Sequence, residues 1–108
     1  MPIAAGELDK QVTLERNTPT RNGFGEEVDA WATLATVWAG IDPKRGREFF
    51  AASQFQSEGK RIVHIRYRSG LSTKDRVRYA GRALRIEDVQ DPGERHEELY
   101  LLCVEALG

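Results

Sequence analysis

KRIVHIRYRSGLSTKDRVRYAGRALR, residues 60–85, decides the fold. In Lys60–Arg68, Val63, Ile65 and Tyr67 fall on one face while His64, Arg66 and Arg68 fall on the other. That period of two predicts a strand with one core face and one wet, basic face. After the Ser69-Gly70 turn, Asp75–Ala80 repeats the pattern, with Val77 and Tyr79 inward and Arg76 and Arg78 outward. Gly81 turns the chain again, and Arg82–Val89 places Leu84 and Ile86 inward. Val89 is out of phase with them, which predicts a bulge near Glu87 or Asp88.

The same period extends outward in both directions. Lys10–Arg16 alternates Val12 and Leu14 against Gln11, Thr13 and Glu15 and reads as a half-buried strand. Asn17, Pro19, Asn22, Gly23 and Gly25 follow as a loop, and its Asn-Gly pair turns the strand back on itself. Val28–Ile41 carries Trp31 and Trp38, an odd number of residues apart, so either a bulge separates them or both faces are covered. Asp42 and Pro43 end that strand, because proline cannot donate to a ladder. Arg47–Gln56 is alanine-rich without glycine or proline and predicts a short helix, although Phe49, Phe50 and Phe55 do not share one stripe. Asp91-Pro92-Gly93 predicts a tight turn. The last strand, Glu98–Glu105, is apolar on both faces and should be central or covered by the helix. The sum is a mainly β chain: a small antiparallel barrel or sandwich of about six strands, with one helix inserted between the second and third.

At 108 residues the chain is one domain by length, without room for a deep two-lobed cleft. The apolar runs fall well short of a spanning helix, and the start lacks a basic-then-apolar leader, so the expectation is a cytosolic product without a membrane partner. Cys103 excludes an internal disulfide and, among Leu101, Leu102 and Val104, reads as a buried thiol. Charge is unevenly spread along the chain. Residues 44–85 hold twelve Lys/Arg against three acids, or +9, while residues 1–43 and 86–108 carry −4 and −6, which sums to the overall −1.

Residues for catalysis or metal binding are not found in the required company. His96-Glu97-Glu98 begins like a zinc-protease helix, but Tyr100 stands where the second histidine would be. His64 sits alone among arginines, which oppose a bound cation, and reads as a surface strand histidine. Asp88, Asp91 and Glu94 flank a turn and read as its solvated edge. No enzyme, cofactor or metal is expected. The arginines have two readings: pairing with acids of the same molecule, or a basic surface that meets phosphate or an acidic protein face. On the second reading the chain is an autonomous small-barrel nucleic-acid binder using Arg66, Arg68, Arg76 and Arg78, which the inward placement of Tyr67 and Tyr79 disfavours because such a surface normally pairs its arginines with exposed aromatics for stacking.

Several motifs in order carry a resemblance. Gly6-Glu7-Leu8-Asp9-Lys10-Gln11-Val12 leads into the first strand, Gly23-Phe24-Gly25-Glu26 precedes Trp31, and Thr36-Val37-Trp38-Ala39 precedes a turn. Gly46-Arg47-Glu48-Phe49-Phe50-Ala51-Ala52, Ile65-Arg66-Tyr67-Arg68 with Gly70, Arg76-Val77, and Ile86 running to Asp91-Pro92 complete the series. Together they resemble the head-tail joining, head-closure or stopper proteins of long-tailed bacteriophages and prophages. The resemblance implies a structural virion protein: a small β-barrel that forms a ring, hexameric or dodecameric, at the virion neck after assembly in the host cytoplasm. Its partners would be other copies of itself, the portal and its adaptor, a tail-terminator or tail-completion protein, and the packaged double-stranded DNA, held without sequence preference. The insertion would be residues 43–59. Lys44, Arg45 and Arg47 would then lie near the DNA channel, and Phe49, Phe50, Phe55, Arg66 and Arg68 would contact neighbouring subunits or partners.

Overall fold

A computed structural model describes Gly6, residues 8–42 and residues 60–105. Among the described residues eight strands run in chain order: β1 (Lys10–Asn17), β2 (Thr20–Arg21), β3 (Glu27–Val28), β4 (Trp31–Ile41), β5 (Lys60–Arg66), β6 (Asp75–Tyr79), β7 (Arg82–Gln90) and β8 (Glu98–Glu105). Six of them form one antiparallel sheet, ordered β1-β4-β5-β8-β7-β6, which closes on itself as a barrel through a β6–β1 ladder. The expected antiparallel six-strand architecture is therefore present. The expected helix, Arg47–Gln56, lies outside the described residues. Strands β5 to β8 stand in the spatial order β5-β8-β7-β6, a Greek key. The connection from β5 to β6, residues 67–74, therefore crosses one end of the barrel.

The alternation read from the sequence is what fills the barrel. Val12, Leu14, Ala39, Val63, Ile65, Val77, Leu84, Ile86, Leu99, Leu101 and Cys103 point inward as one buried cluster, with Leu34, Val37, Ile41, Leu71, Tyr79 and Val89 packed against it. Both phase slips prove to be bulges. In the β1–β4 ladder Leu14 faces Ala35 while Glu15 faces Thr33, so Leu34 is the extra residue, and it lies between the two tryptophans. In the β7–β8 ladder Ile86 faces Cys103 and Asp88 faces Leu102, which leaves Glu87 unopposed and returns Val89 to the core.

Two residues of β5 and its continuation differ from the alternation. His64 was expected on a wet face; it is buried, with Nε2 2.6 Å from Glu98 Oε1 and its ring centroid 4.8 Å from that of Tyr100. The reason is that β5 and β8 are buried on both faces. Ile62, Tyr100 and Leu102 form a second buried cluster on the side opposite the barrel interior. Tyr67 was expected in the core. The ladder of β5 ends at Arg66, the chain turns there to cross the barrel end, and the Tyr67 ring lies flat on His96 with centroids 4.5 Å apart.

The barrel is closed by an ion pair that spans the β1–β6 seam. Arg16 faces Asp75 across that ladder and grips its buried carboxylate with two donors, Nε to Oδ1 at 2.9 Å and Nη2 to Oδ2 at 3.1 Å. Arg16 Nη2 also donates to the Gly70 carbonyl at 2.6 Å, and the Ser72 amide donates to Asp75 Oδ2 at 3.0 Å. One guanidinium thus fixes both the seam and the crossing loop. A two-donor guanidinium–carboxylate contact suits this because it specifies angle as well as distance.

Candidate interaction surface

The charge segregation along the sequence is largely cancelled by folding. Acids of β1, β7 and β8 lie beside bases of β5, β6 and β7: Arg76 pairs with Glu15, Lys60 and Arg85 with Glu87, and Arg82 with Glu105, while Arg61 pairs with Asp42 after β4. Arg76 is bound twice, since its guanidinium also lies 3.9 Å from the centroid of the Trp31 ring. Of the arginines singled out from the sequence, Arg76 is therefore spoken for, while Arg66, Arg68 and Arg78 are exposed and form no ion pair among the described residues. Lys44, Arg45, Arg47, Phe49, Phe50 and Phe55 lie outside the described residues.

Arg66 and Arg68 line a concavity of the barrel. β4 and β5 pair over three residues only, Ala39 with Ile65, Gly40 with His64 and Ile41 with Val63. Beyond Ala39 the two strands part, because β4 continues along β1 while the chain after Arg66 bends into the crossing loop and the Tyr67 amide donates to Glu97 O at 3.1 Å. The wedge between them is a pocket of about 270 Å³ lined by Val37, Trp38, Ile65, Arg66, Tyr67 and Arg68. Trp38 is 58% exposed and Tyr67 37%, so an apolar floor with two aromatic walls lies open between two guanidinium groups. The chemistry on offer is recognition of an apolar or aromatic side chain in an acidic setting.

Sequence reasoning put Arg66 and Arg68 on an outward face and missed the pocket they line. The signal for Trp38 was present in its odd spacing from Trp31: the Leu34 bulge resets the phase, so both tryptophans end on the outer face, opposite Asn17 and Gln11. No cluster of His, Cys, Asp and Glu that could hold a metal occurs among the described residues. Cys103 is buried, and burial away from water pushes its thiol pKa upward, which makes it a poor nucleophile. Among the described residues no helix is long and apolar enough to cross a membrane.

Comparison with known proteins agrees with this fold. The solution structure of protein SF1141 from Shigella flexneri 2a is 25% identical, superposes with a TM-score of 0.70, and is matched over 96% of this chain and 97% of that one. A chain from the virion of a native gene transfer agent particle shares the fold at 18% identity and a TM-score of 0.64, with 94% and 97% coverage. No curated protein matches. The model of the phage head completion protein family matches residues 3–106, nearly the full length, and the chain belongs to that family of structural virion proteins.

Proposed function

We propose that this chain is the ring-forming subunit of a phage neck, which assembles at the portal vertex, closes the DNA-filled head and presents a surface to the tail. The observation that supports this reading is the family match from residue 3 to 106, which runs through the barrel strands and through residues 43–59 alike. A virion chain with the same closed fold is a second support. In this reading Lys44, Arg45 and Arg47 face the DNA path, where attraction to phosphate requires no base contact. Phe49, Phe50 and Phe55 meet neighbouring subunits, and Arg66 and Arg68 meet a subunit or partner.

The test is a phage or prophage lacking this gene. The expected result is packaged heads and free tails that fail to join, with joining restored when purified protein is added and an added ring visible below the portal. Normal particle yield without the gene overturns the proposal. The triple variant Lys44→Glu/Arg45→Glu/Arg47→Glu is expected to keep the ring yet lose DNA from the heads, because three attractive contacts become repulsive.

One observation favours a second reading, autonomous nucleic-acid binding: Tyr67 is exposed beside Arg66 and Arg68 instead of buried. Against it, Arg76 is neutralised by Glu15. Titration of the free subunit with single-stranded and duplex DNA decides between them. A monomer that binds with a steep salt dependence supports the second reading, and negligible affinity at about 0.15 M salt supports the neck subunit.

A further inference from the structure

Four large hydrophobic residues are exposed among the described residues: Phe24, Val28, Trp38 and Tyr67. They occur in two places. Trp38 and Tyr67 wall the pocket, while Phe24 and Val28 belong to the β2–β3 hairpin, whose strands pair Thr20 with Val28 and Arg21 with Glu27. Phe24 at the hairpin tip is 89% exposed. The tip that carries it is rigidly built. Asn22 Oδ1 accepts from the Phe24 amide at 2.8 Å and from the Glu26 amide at 3.1 Å, and Arg21 Nη1 donates to the Gly25 carbonyl at 2.8 Å. Gly25 takes φ +81°, which closes the turn without strain. The hairpin's base is tied as well, with the Thr18 amide and hydroxyl both donating to Ala30 O, and Asn17 Nδ2 to Asp29 Oδ1. These bonds fix the turn, so the phenyl ring projects from a defined place on an ordered hairpin.

We infer that Phe24 of one subunit inserts into the Trp38–Tyr67 pocket of the next copy, with Glu26 and Glu27 set against Arg66 and Arg68. This rests on the proposed ring. Three features of the two surfaces support the pairing. A cavity of about 150 Å³ already holds benzene, and the pocket measures about 270 Å³. The tip carries two carboxylates and the pocket rim two guanidinium groups that form no ion pair among the described residues. Glu98 faces Arg66 across the β5–β8 ladder, but its carboxylate is engaged by buried His64.

The contact cannot be made within one chain. The hairpin prolongs the β1–β4 ribbon past Trp31, and Trp38 lies further along β4 in the opposite direction, roughly 23 Å away at the rise of a strand. Knob and socket are therefore different patches on different parts of one molecule. Such a contact is head-to-tail, and repeating it generates a ring when the rotation between copies closes. A single aromatic knob buries far less than the ~800 Å² per partner of a standard interface, so it sets the register of the ring and the remaining area comes from other surfaces.

The test uses ring formation on portal-bearing heads together with a site-directed cross-link. Gly23 has open space where a side chain would extend, so the Gly23→Cys/Arg68→Cys double variant keeps the Phe24 knob. Cys103 is buried and does not compete. On oxidation the double variant is expected to give a covalent ladder up to the full ring, whereas a mixture of the two single variants stops at dimers. Phe24→Ala is expected to fold normally, because the side chain it removes is solvent-exposed, yet to lower ring incorporation by about tenfold or more. Glu26→Arg/Glu27→Arg should block assembly, and combining it with Arg66→Glu/Arg68→Glu should restore it. Rings that form without cross-linking, or Phe24→Ala assembling like the parent chain, overturn this contact and leave the neck role standing. Absence of the parent protein from heads overturns the neck role and the contact with it.

Discussion

Asp75 is a buried carboxylate in a chain whose formal charges otherwise lie largely on the surface, and its hydrogen bonds from Arg16 and the Ser72 amide explain it. Asp75→Asn keeps the volume but removes the charge that both Arg16 donors address. The expected loss is about 2 kcal/mol, seen as a fall in Tm of roughly 10 °C by calorimetry. Cys103 provides a second check at this scale. Because burial holds its thiol protonated, a thiol reagent at pH 8 should leave the folded protein unlabelled and modify one site after denaturation. What alternation left hidden was also residue-scale. A period of two tells which side chains share a face, and it placed Val63 and Ile65 correctly. It cannot tell whether the opposite face is covered, which is why buried His64 looked like a member of a wet face.

At the scale of elements, the β6–β7 hairpin joins Tyr79 to Arg82 through two residues, Ala80 at φ +51° and Gly81 at φ +80°. Both central dihedrals are positive, as in a type I′ turn, where asparagine is preferred first and alanine is strained. Ala80→Asn should therefore raise stability by about 0.5–1 kcal/mol, measurable by urea unfolding with an unchanged m-value. The Glu87 bulge allows a sharper comparison. Glu87→Ala removes two partly exposed pairs, with Lys60 and Arg85, and should cost only about 0–1 kcal/mol. Inserting one alanine between Asp88 and Val89 slips the end of β7 by one residue, turns Val89 out of the core, and should lower Tm far more than the alanine substitution does. Both bulges were legible in advance because each leaves a phase error in an otherwise regular alternation. The hairpin tip was legible as Asn-Gly turn chemistry. Its exposed phenylalanine gained meaning only beside a pocket formed by residues far away in the sequence.

For the molecule as a whole, the strand count and antiparallel pairing followed from periodicity, whereas the closure of the sheet did not. Closure depends on β6 returning to β1, a pairing between residues about sixty positions apart, and the sequence marks it only through Arg16 and Asp75. The same long-range pairing reversed the electrostatic picture, since strands from the acidic ends neutralise much of the basic middle. The subunit's net −1 charge and internal pairing predict that the free protein elutes as a soluble species with weak DNA affinity at physiological salt, checked by fluorescence anisotropy.

The short β4–β5 ladder has a mechanical consequence. Residues 43–59 leave the barrel at Asp42 and rejoin it at Lys60, the adjacent ends of two antiparallel strands, so tension on that stretch peels the ladder open one bond at a time, like a zip. Asp42 sits where the zip would start: its amide donates to Ile62 O at 2.7 Å, its Oδ1 accepts from the Ile62 amide at 3.0 Å, and Arg61 lies 3.5 Å from its Oδ2. A load borne by the insertion therefore meets this clasp before it reaches the barrel's core.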